Sequence, residues 1–148
     1  MNAKWACLAC RITYNRDHRQ CPRCGETLYF AGRFFKPPRR NATRQWQAIE
    51  ILLRGGVTFD SHLTHLVTPT LDQFIESQGD MTPADLKSTL REVEWALKYF
   101  EPPVAIHDHA VPTTPRAAEE YLVWVDAERM RYKGLKQQLL ERLRRIIT

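Results

Sequence analysis

The sequence predicts a small α+β protein in which short N-terminal β-hairpins are joined to a mainly α-helical region that ends in a long helix. All four cysteines lie within residues 7–24, as two C-x-x-C pairs. A Pro-Pro pair follows, and beyond it apolar residues recur at helical spacing over most of the chain. The predicted segments are therefore a cysteine-bearing domain (1–35), a basic proline-rich connector (36–44) and a mainly helical domain (45–148).

The cysteine pattern indicates a structural metal site. The start "MNAKWACLAC" contains no apolar stretch long enough for a signal peptide, so a secreted disulfide scaffold is disfavoured. A redox protein is also disfavoured, because a redox site needs only one C-x-x-C pair and this segment has two. Each C-x-x-C turn directs two sulfurs the same way, so two turns supply four thiolates to one tetrahedral Zn²⁺. The predicted ligands are Cys7, Cys10, Cys21 and Cys24. Four thiolates leave no position for water, so this zinc would stabilise the fold and would not catalyse.

The knuckles "WACLAC" and "CPRCGETL" resemble those of the zinc-ribbon family, over about residues 5–30 only. The resemblance implies that Pro22 and Gly25 shape the second turn. It also implies that Trp5, Tyr14 and Tyr29 pack the small apolar face of the hairpins. Zinc ribbons bind DNA, RNA or other proteins, so the resemblance leaves the partner open. No family is recognised for residues 31–148.

The charge is unevenly distributed along the chain, whose net charge is +5. Residues 1–44 contain ten Lys and Arg residues and two acidic residues, for a net charge of +8. Residues 45–112 contain four basic and ten acidic residues, for a net charge of −6. Residues 113–148 contain eight basic and five acidic residues, for a net charge of +3. Such asymmetry suggests nucleic-acid contact by the basic parts. Arg11 and Arg23 can partly offset the −2 of a zinc centre with four thiolates, but the offset does not account for the whole excess.

The basic residues concentrate around the connector, after a last strand predicted from Tyr29 to Phe35. They are Arg33, Lys36, Arg39, Arg40 and Arg44. Pro37 and Pro38 favour an extended chain there. Two interpretations stay open. The segment is either a solvated linker or an exposed basic arm whose interleaved aromatic residues suit phosphates and exposed bases.

Four helices are predicted beyond the connector, of which the C-terminal one is much the longest. The first, in "TRQWQAIEILLRGG", has Asn41 or Thr43 as its N-cap and ends at Gly55-Gly56, with an apolar stripe of Trp46, Ile49, Leu52 and Leu53. Trp46 is interpreted as a core anchor. After an extended stretch, a short helix is placed from about Pro69 to Gln78. The next helix begins with Thr82 as N-cap, Pro83 and Asp85, and its apolar face comprises Leu86, Leu90, Val93, Leu97 and Phe100.

A long C-terminal helix is predicted to start at Thr114-Pro115 and to reach Arg145 or beyond. Val125, Tyr132, Leu139 and Ile146 recur every seven residues, and Leu135 and Leu143 widen the stripe. Because so long a helix exceeds what a small core can cover, its far end is expected to project from the core or to meet a partner. The predicted partner-binding residues are Leu135, Leu139, Leu143 and Ile146.

Enzymatic signatures are weak. His62 and His65 lack a third ligand at helical spacing, and Asp108, His109 and Pro112 resemble the HNH-nuclease motif without its later Asn and His. No role is assigned to the stretch from His107 to His109. No Gly-rich phosphate loop, G-x-S-x-G or H-E-x-x-H occurs. Catalysis is therefore not expected.

The leading functional prediction is a non-enzymatic, cytoplasmic zinc-ribbon protein with one structural Zn²⁺, which binds DNA or RNA or regulates a nucleic-acid machine. The alternative is a structural or adaptor subunit of a larger complex, such as a phage or ribonucleoprotein assembly, with the ribbon and the long helix as docking surfaces. An HNH-like nuclease is the remote third. No membrane association is expected, since no apolar run approaches the length of a membrane span.

Overall fold

The computed structural model of the protein describes residues 3–59, 81–106 and 111–147. Five strands lie in these ranges, β1 (Lys4–Cys7), β2 (Ile12–Tyr14), β3 (Tyr29–Gly32), β4 (Val57–Thr58) and β5 (Val104–Ala105). Three helices lie there as well, α1 (Thr43–Arg54), α2 (Pro83–Phe100) and α3 (Pro115–Ile147). The predicted small α+β class is confirmed, with N-terminal strands, a cluster of four cysteines beside them and a long C-terminal helix. None of the described helices is both long and apolar enough to cross a membrane.

The chain divides into two compact units. The first comprises Met1–Leu63 and Pro102–Trp124, and the second comprises Thr64–Glu101 and Val125–Thr148. In the first unit α1 packs on β3 and β4, and β4 pairs in parallel with β5. These units group residues differently from the three segments expected from the sequence, whose boundaries stay predictions.

The three N-terminal strands form an antiparallel sheet in the order β2-β1-β3, and Cys7 lies on the central strand β1. Side chains alternate between the two faces of a strand, so Trp5 and Cys7 share one face of β1. Trp5 and Tyr14 pack against the buried Cys7, Cys21 and Leu28, as predicted. Tyr29 does not belong to this cluster. Its neighbour Phe30 contacts Trp5 instead, with ring centroids 5.1 Å apart, because Phe30 and Tyr29 point to opposite faces.

The third strand is shorter than the predicted Tyr29–Phe35. It ends at Gly32, whose φ of +104° lies in the region that glycine enters without steric cost and that turns the chain out of the sheet. The turned segment stays ordered, because the Phe34 N–H donates to the Phe59 carbonyl (2.9 Å). Phe35 is then buried between Phe59 and Trp46, with ring centroids 5.0 and 6.3 Å away.

The apolar face of α1 is as predicted, with Trp46, Ile49, Leu52 and Leu53 all buried. Gly55 caps the C-terminus as expected, but the N-cap prediction is wrong. Ala42 occupies that position and no side chain caps the helix. The Thr43 hydroxyl instead accepts from the Arg11 guanidinium (3.2 Å), so a tertiary contact uses the group assigned to capping.

In the second unit, α2 begins with the predicted capping box. Thr82 Oγ1 accepts from the Asp85 N–H, and an Asp85 carboxylate oxygen accepts from the Thr82 N–H, both at 3.2 Å. The predicted apolar face is buried except at Leu90, which is half-buried. The helix placed at Pro69–Gln78 lies outside the described residues.

Helix α3 begins at Pro115 as predicted, with Thr114 Oγ1 accepting from the Ala117 N–H (3.2 Å). The rings of Tyr132 and Phe100 stack at 5.5 Å, and Arg129 Nε donates to the Phe100 carbonyl (2.6 Å). An ion pair of 3.7 Å joins Lys133 to Glu101. Aromatic, hydrogen-bonding and ionic contacts therefore link α2 to the second half of α3 in the second unit.

The predicted uncovered stripe on α3 is wrong for its three leucines. Leu135, Leu139 and Leu143 are buried, Leu139 with 0% of its surface exposed, whereas Ile146 is 50% exposed. Helix length alone suggested that the core could not cover them. The expectation that these leucines are uncovered is therefore wrong, whereas their role in binding a partner stays a prediction.

Candidate metal centre

The two C-x-x-C pairs adopt the same turn. After Cys7 the Arg11 N–H donates to the Cys7 carbonyl, and after Cys21 the Gly25 N–H donates to the Cys21 carbonyl, each at 2.8 Å. The residue after the second cysteine has positive φ in both turns, +56° at Arg11 and +80° at Gly25. Glycine adopts this conformation freely, while arginine adopts it at a steric cost. The strained Arg11 backbone therefore completes a turn equivalent to the glycine-closed one.

The repeated turn brings the four sulfurs together. All four Sγ atoms lie within 4.8 Å of one another. The Cys7 and Cys24 sulfurs are 3.5 Å apart, and the Cys10 and Cys21 sulfurs are 4.0 Å apart. Sulfurs at the corners of a tetrahedron with metal–sulfur bonds of about 2.3 Å are separated by about 3.8 Å. The predicted ligands therefore form a set that can hold a metal ion such as zinc.

Hydrogen bonds distribute charge unequally among the sulfurs. Burial alone would raise the pKa of Cys21, but hydrogen bonds from the Tyr14 hydroxyl (3.2 Å) and from nearby backbone N–H groups outweigh it and lower the pKa to about 6. The same contact raises the pKa of Tyr14 to about 12. The thiol of Cys10, hydrogen-bonded to Cys24, has its pKa raised to about 12. Four thiolates this close repel one another, and a divalent cation compensates their charge.

The four cysteines differ in their exposure to solvent. Cys7 and Cys21 are buried, Cys10 is half-buried and Cys24 is exposed. A metal held there would have four protein ligands and no open position, which is typical of sites that stabilise a fold. The Tyr14 hydrogen bond to Cys21 was not predicted, because a separation of seven residues across a loop has no recognisable spacing signal.

Hydrogen bonds join the backbone of the connector to the first cysteine turn. Arg11 Nη1 donates to the Arg40 carbonyl (2.8 Å), and Trp46 Nε1 donates to the Arg39 carbonyl (3.0 Å). Lys4 Nζ donates to the Phe35 carbonyl (2.9 Å). The sequence suggested only a charge-offsetting role for Arg11, whereas its side chain links the first cysteine turn to the connector and to the start of α1.

The five predicted nucleic-acid-binding residues are all exposed. They are Arg33, Lys36, Arg39, Arg40 and Arg44. No acidic residue occurs between Glu26 and Glu50, so this stretch of the chain carries positive charge only. The five cationic residues are exposed, on a segment whose backbone carbonyls at Phe35, Arg39 and Arg40 accept hydrogen bonds.

The other sequence-derived sites fall outside the described parts of the chain. His62, His65 and the stretch from His107 to His109 lie in ranges that the structure does not describe. Within residues 3–59, 81–106 and 111–147, the four cysteines form the one cluster of three or more Cys, His, Asp or Glu side chains with metal-binding geometry.

Comparison with known proteins finds no relative. No family model matches the chain, and no curated protein or solved structure matches it either. The likeness to zinc ribbons therefore rests on residues 5–30 and on the sulfur geometry alone.

Proposed function

We propose that this protein is a non-enzymatic zinc-ribbon protein that binds nucleic acid through its basic connector. The observation that carries the proposal is a 12-residue segment with five exposed cations, free of acidic residues and hydrogen-bonded through its backbone to the metal-bearing turn. In this proposal Zn²⁺ occupies the four-cysteine site and holds the two turns rigid.

The hydrogen bonds that anchor the backbone of the connector should reduce the entropy that the connector loses on binding. A flexible arm must lose backbone entropy when it binds, at about 1–2 kcal/mol for each residue that becomes ordered. Here the carbonyls of Arg39 and Arg40 already accept hydrogen bonds from Trp46 and Arg11, so their backbone is partly ordered beforehand. A pre-ordered cationic surface is suited to the regularly spaced phosphates of a nucleic-acid strand.

Reversing two of these charges should weaken nucleic-acid binding and flatten its salt dependence. The variant Arg39→Glu/Arg40→Glu removes two of about three or four phosphate contacts, each of which contributes about −0.9 to the slope of log affinity against log salt on duplex DNA. The slope should therefore decrease in magnitude by about 1.8. Fluorescence anisotropy titrations with duplex DNA, single strands and structured RNA at several salt concentrations measure it.

The matched control is Arg91→Glu/Lys98→Glu, which changes the net charge by the same amount at two exposed positions of α2. It should leave the slope within about 0.5 of the original, because the proposal assigns those residues no phosphate contact. Equal loss in both variants would show a nonspecific charge effect. If neither DNA nor RNA binds the unmutated protein at low salt, the proposed function is wrong.

A second candidate is an adaptor protein, which exposed apolar residues on α3 favour. Val123 and Met130, seven residues apart on the same helix face, are 69% and 67% exposed, and Trp124 is also exposed. Apolar side chains on a helix face are suited to docking against another protein. An adaptor would show no salt-sensitive nucleic-acid binding, so the same titrations separate the two candidates.

A further inference from the structure

A groove of about 210 Å³ lies in the first unit, beside the basic connector. Phe34, Pro38 and Phe59 contribute apolar walls. Lys36, Gln45 and Thr113 add an ammonium, an amide and a hydroxyl. The groove therefore combines an apolar interior with groups that can donate hydrogen bonds.

The size of the groove restricts its ligand. Pockets for drug-sized molecules enclose about 300–1,000 Å³, so this smaller groove is suited to one planar ring. Phe34 and Pro38 are only half-buried, which leaves part of each ring accessible from the groove. Flat aromatic bases stack on such side chains irrespective of sequence.

The charge around the groove restricts the ligand further. Lys36 is exposed at the groove, and exposed Arg39 and Arg40 follow within four residues along the chain. None of the described residues that line the groove is acidic, and no acidic residue occurs in the sequence between Glu26 and Glu50. A ligand that matches both features has a planar ring attached to closely spaced negative charges.

We propose that this groove takes one unpaired base of a single-stranded nucleic acid, with the adjoining phosphates at Lys36 and Arg39. The inference rests on the proposed function and narrows it, because a base can enter the groove only when it is not stacked inside a duplex. Gln45 and Thr113 line the groove, and an amide and a hydroxyl are groups that can hydrogen-bond the edge of a base.

The test compares two oligomers with equal charge, a twelve-nucleotide oligothymidine and an abasic twelve-nucleotide strand with the same number of phosphates. The unmutated protein should bind the oligothymidine about 5- to 150-fold more tightly, the range expected for one base stacked on an aromatic side chain. Phe34→Ala should remove this preference and leave the salt slope unchanged. Arg39→Glu/Arg40→Glu should flatten the slope and keep the preference.

Two further variants guard against a folding defect, with zinc content and circular dichroism as checks. Phe34→Tyr keeps a ring and should retain the preference, while Phe34→Leu keeps apolar volume without a ring and should lose most of it. Equal affinity of the unmutated protein for both oligomers would overturn this inference and leave the proposed function standing. Competition by a twelve-residue glutamate peptide as strong as that by oligothymidine would also overturn it, since charge alone would then explain binding. If neither oligomer binds but duplex DNA or structured RNA does, this inference is wrong and the proposed function stands. If no nucleic acid binds at low salt, both proposals are wrong.

Discussion

Cys21→Ser should abolish stoichiometric zinc binding and unfold the three-stranded cysteine-bearing sheet. A sheet of three strands, each of three or four residues, buries too little apolar surface to fold alone, so metal binding must provide most of its stability. Structural Zn²⁺ contributes on the order of 10 kcal/mol to folding in small zinc domains. Zinc per chain by plasma mass spectrometry, together with amide NMR dispersion for residues 3–32, measures both effects.

The disturbance should extend beyond the cysteine-bearing strands, because Phe59 N–H donates to the Ala31 carbonyl (2.7 Å) and α1 packs on β3. Helix α2 should keep its capping box and its helical signals, since it belongs to the other unit. The matched control is Asn15→Ser, an exposed change in the loop between the two turns, which should retain one zinc per chain. Absence of zinc from the unmutated protein prepared under reducing conditions, or a full zinc complement in Cys21→Ser, would contradict this prediction.

Leu139→Asp should severely destabilise the second unit. Leu139 is fully buried, so the substitution removes its apolar contacts and places a carboxylate where water does not reach. Truncation of a buried leucine alone costs about 2–5 kcal/mol, and a buried charge without a partner adds to that loss. Because domains are stable by only about 5–15 kcal/mol, most of the stability of this unit should disappear. Chemical denaturation followed by circular dichroism at 222 nm measures the free energy of unfolding.

Ile146→Asp is the control on the same predicted stripe. Ile146 is half exposed near the end of α3, so an aspartate at this position should change the free energy of unfolding by no more than about 1 kcal/mol. Leu139→Ala should fall between the two, at about 2–5 kcal/mol. A stable Leu139→Asp protein that had lost an oligomer or a partner complex would instead support the uncovered stripe expected from the sequence.

Local patterns were predicted well wherever neighbouring residues in the chain determine the structure. The four cysteines, the α2 capping box and the start of α3 each depend on residues within a few positions of one another. The end of α1 at Gly55-Gly56 is of the same kind, since Gly56 adopts a φ of +85°. In these places local hydrogen bonding and backbone preference act without help from distant parts of the chain.

The errors have a different origin. Asn41 and Thr43 are good N-cap residues, but Arg11 engages Thr43 from 32 positions away in the chain. The sequence left open whether the connector is a solvated linker or an exposed basic arm, and it gave no sign that hydrogen bonds from Arg11 and Trp46 anchor its backbone. Neither contact has a periodicity or spacing by which the sequence could reveal it.

The sequence by itself determined the four cysteines that can hold a metal ion and the helical periodicity, because cysteine spacing and apolar recurrence are properties of the chain. Only the tertiary structure decided which apolar residues are covered. Leu139 and Ile146 occupy the same position of the seven-residue repeat, but Leu139 is 0% exposed and Ile146 is 50% exposed. It also decided that Phe34, Pro38 and Phe59 surround one groove beside the basic side chains. Burial and grooves depend on how separate segments pack, and that packing reflects the summed contacts of the fold rather than any local pattern.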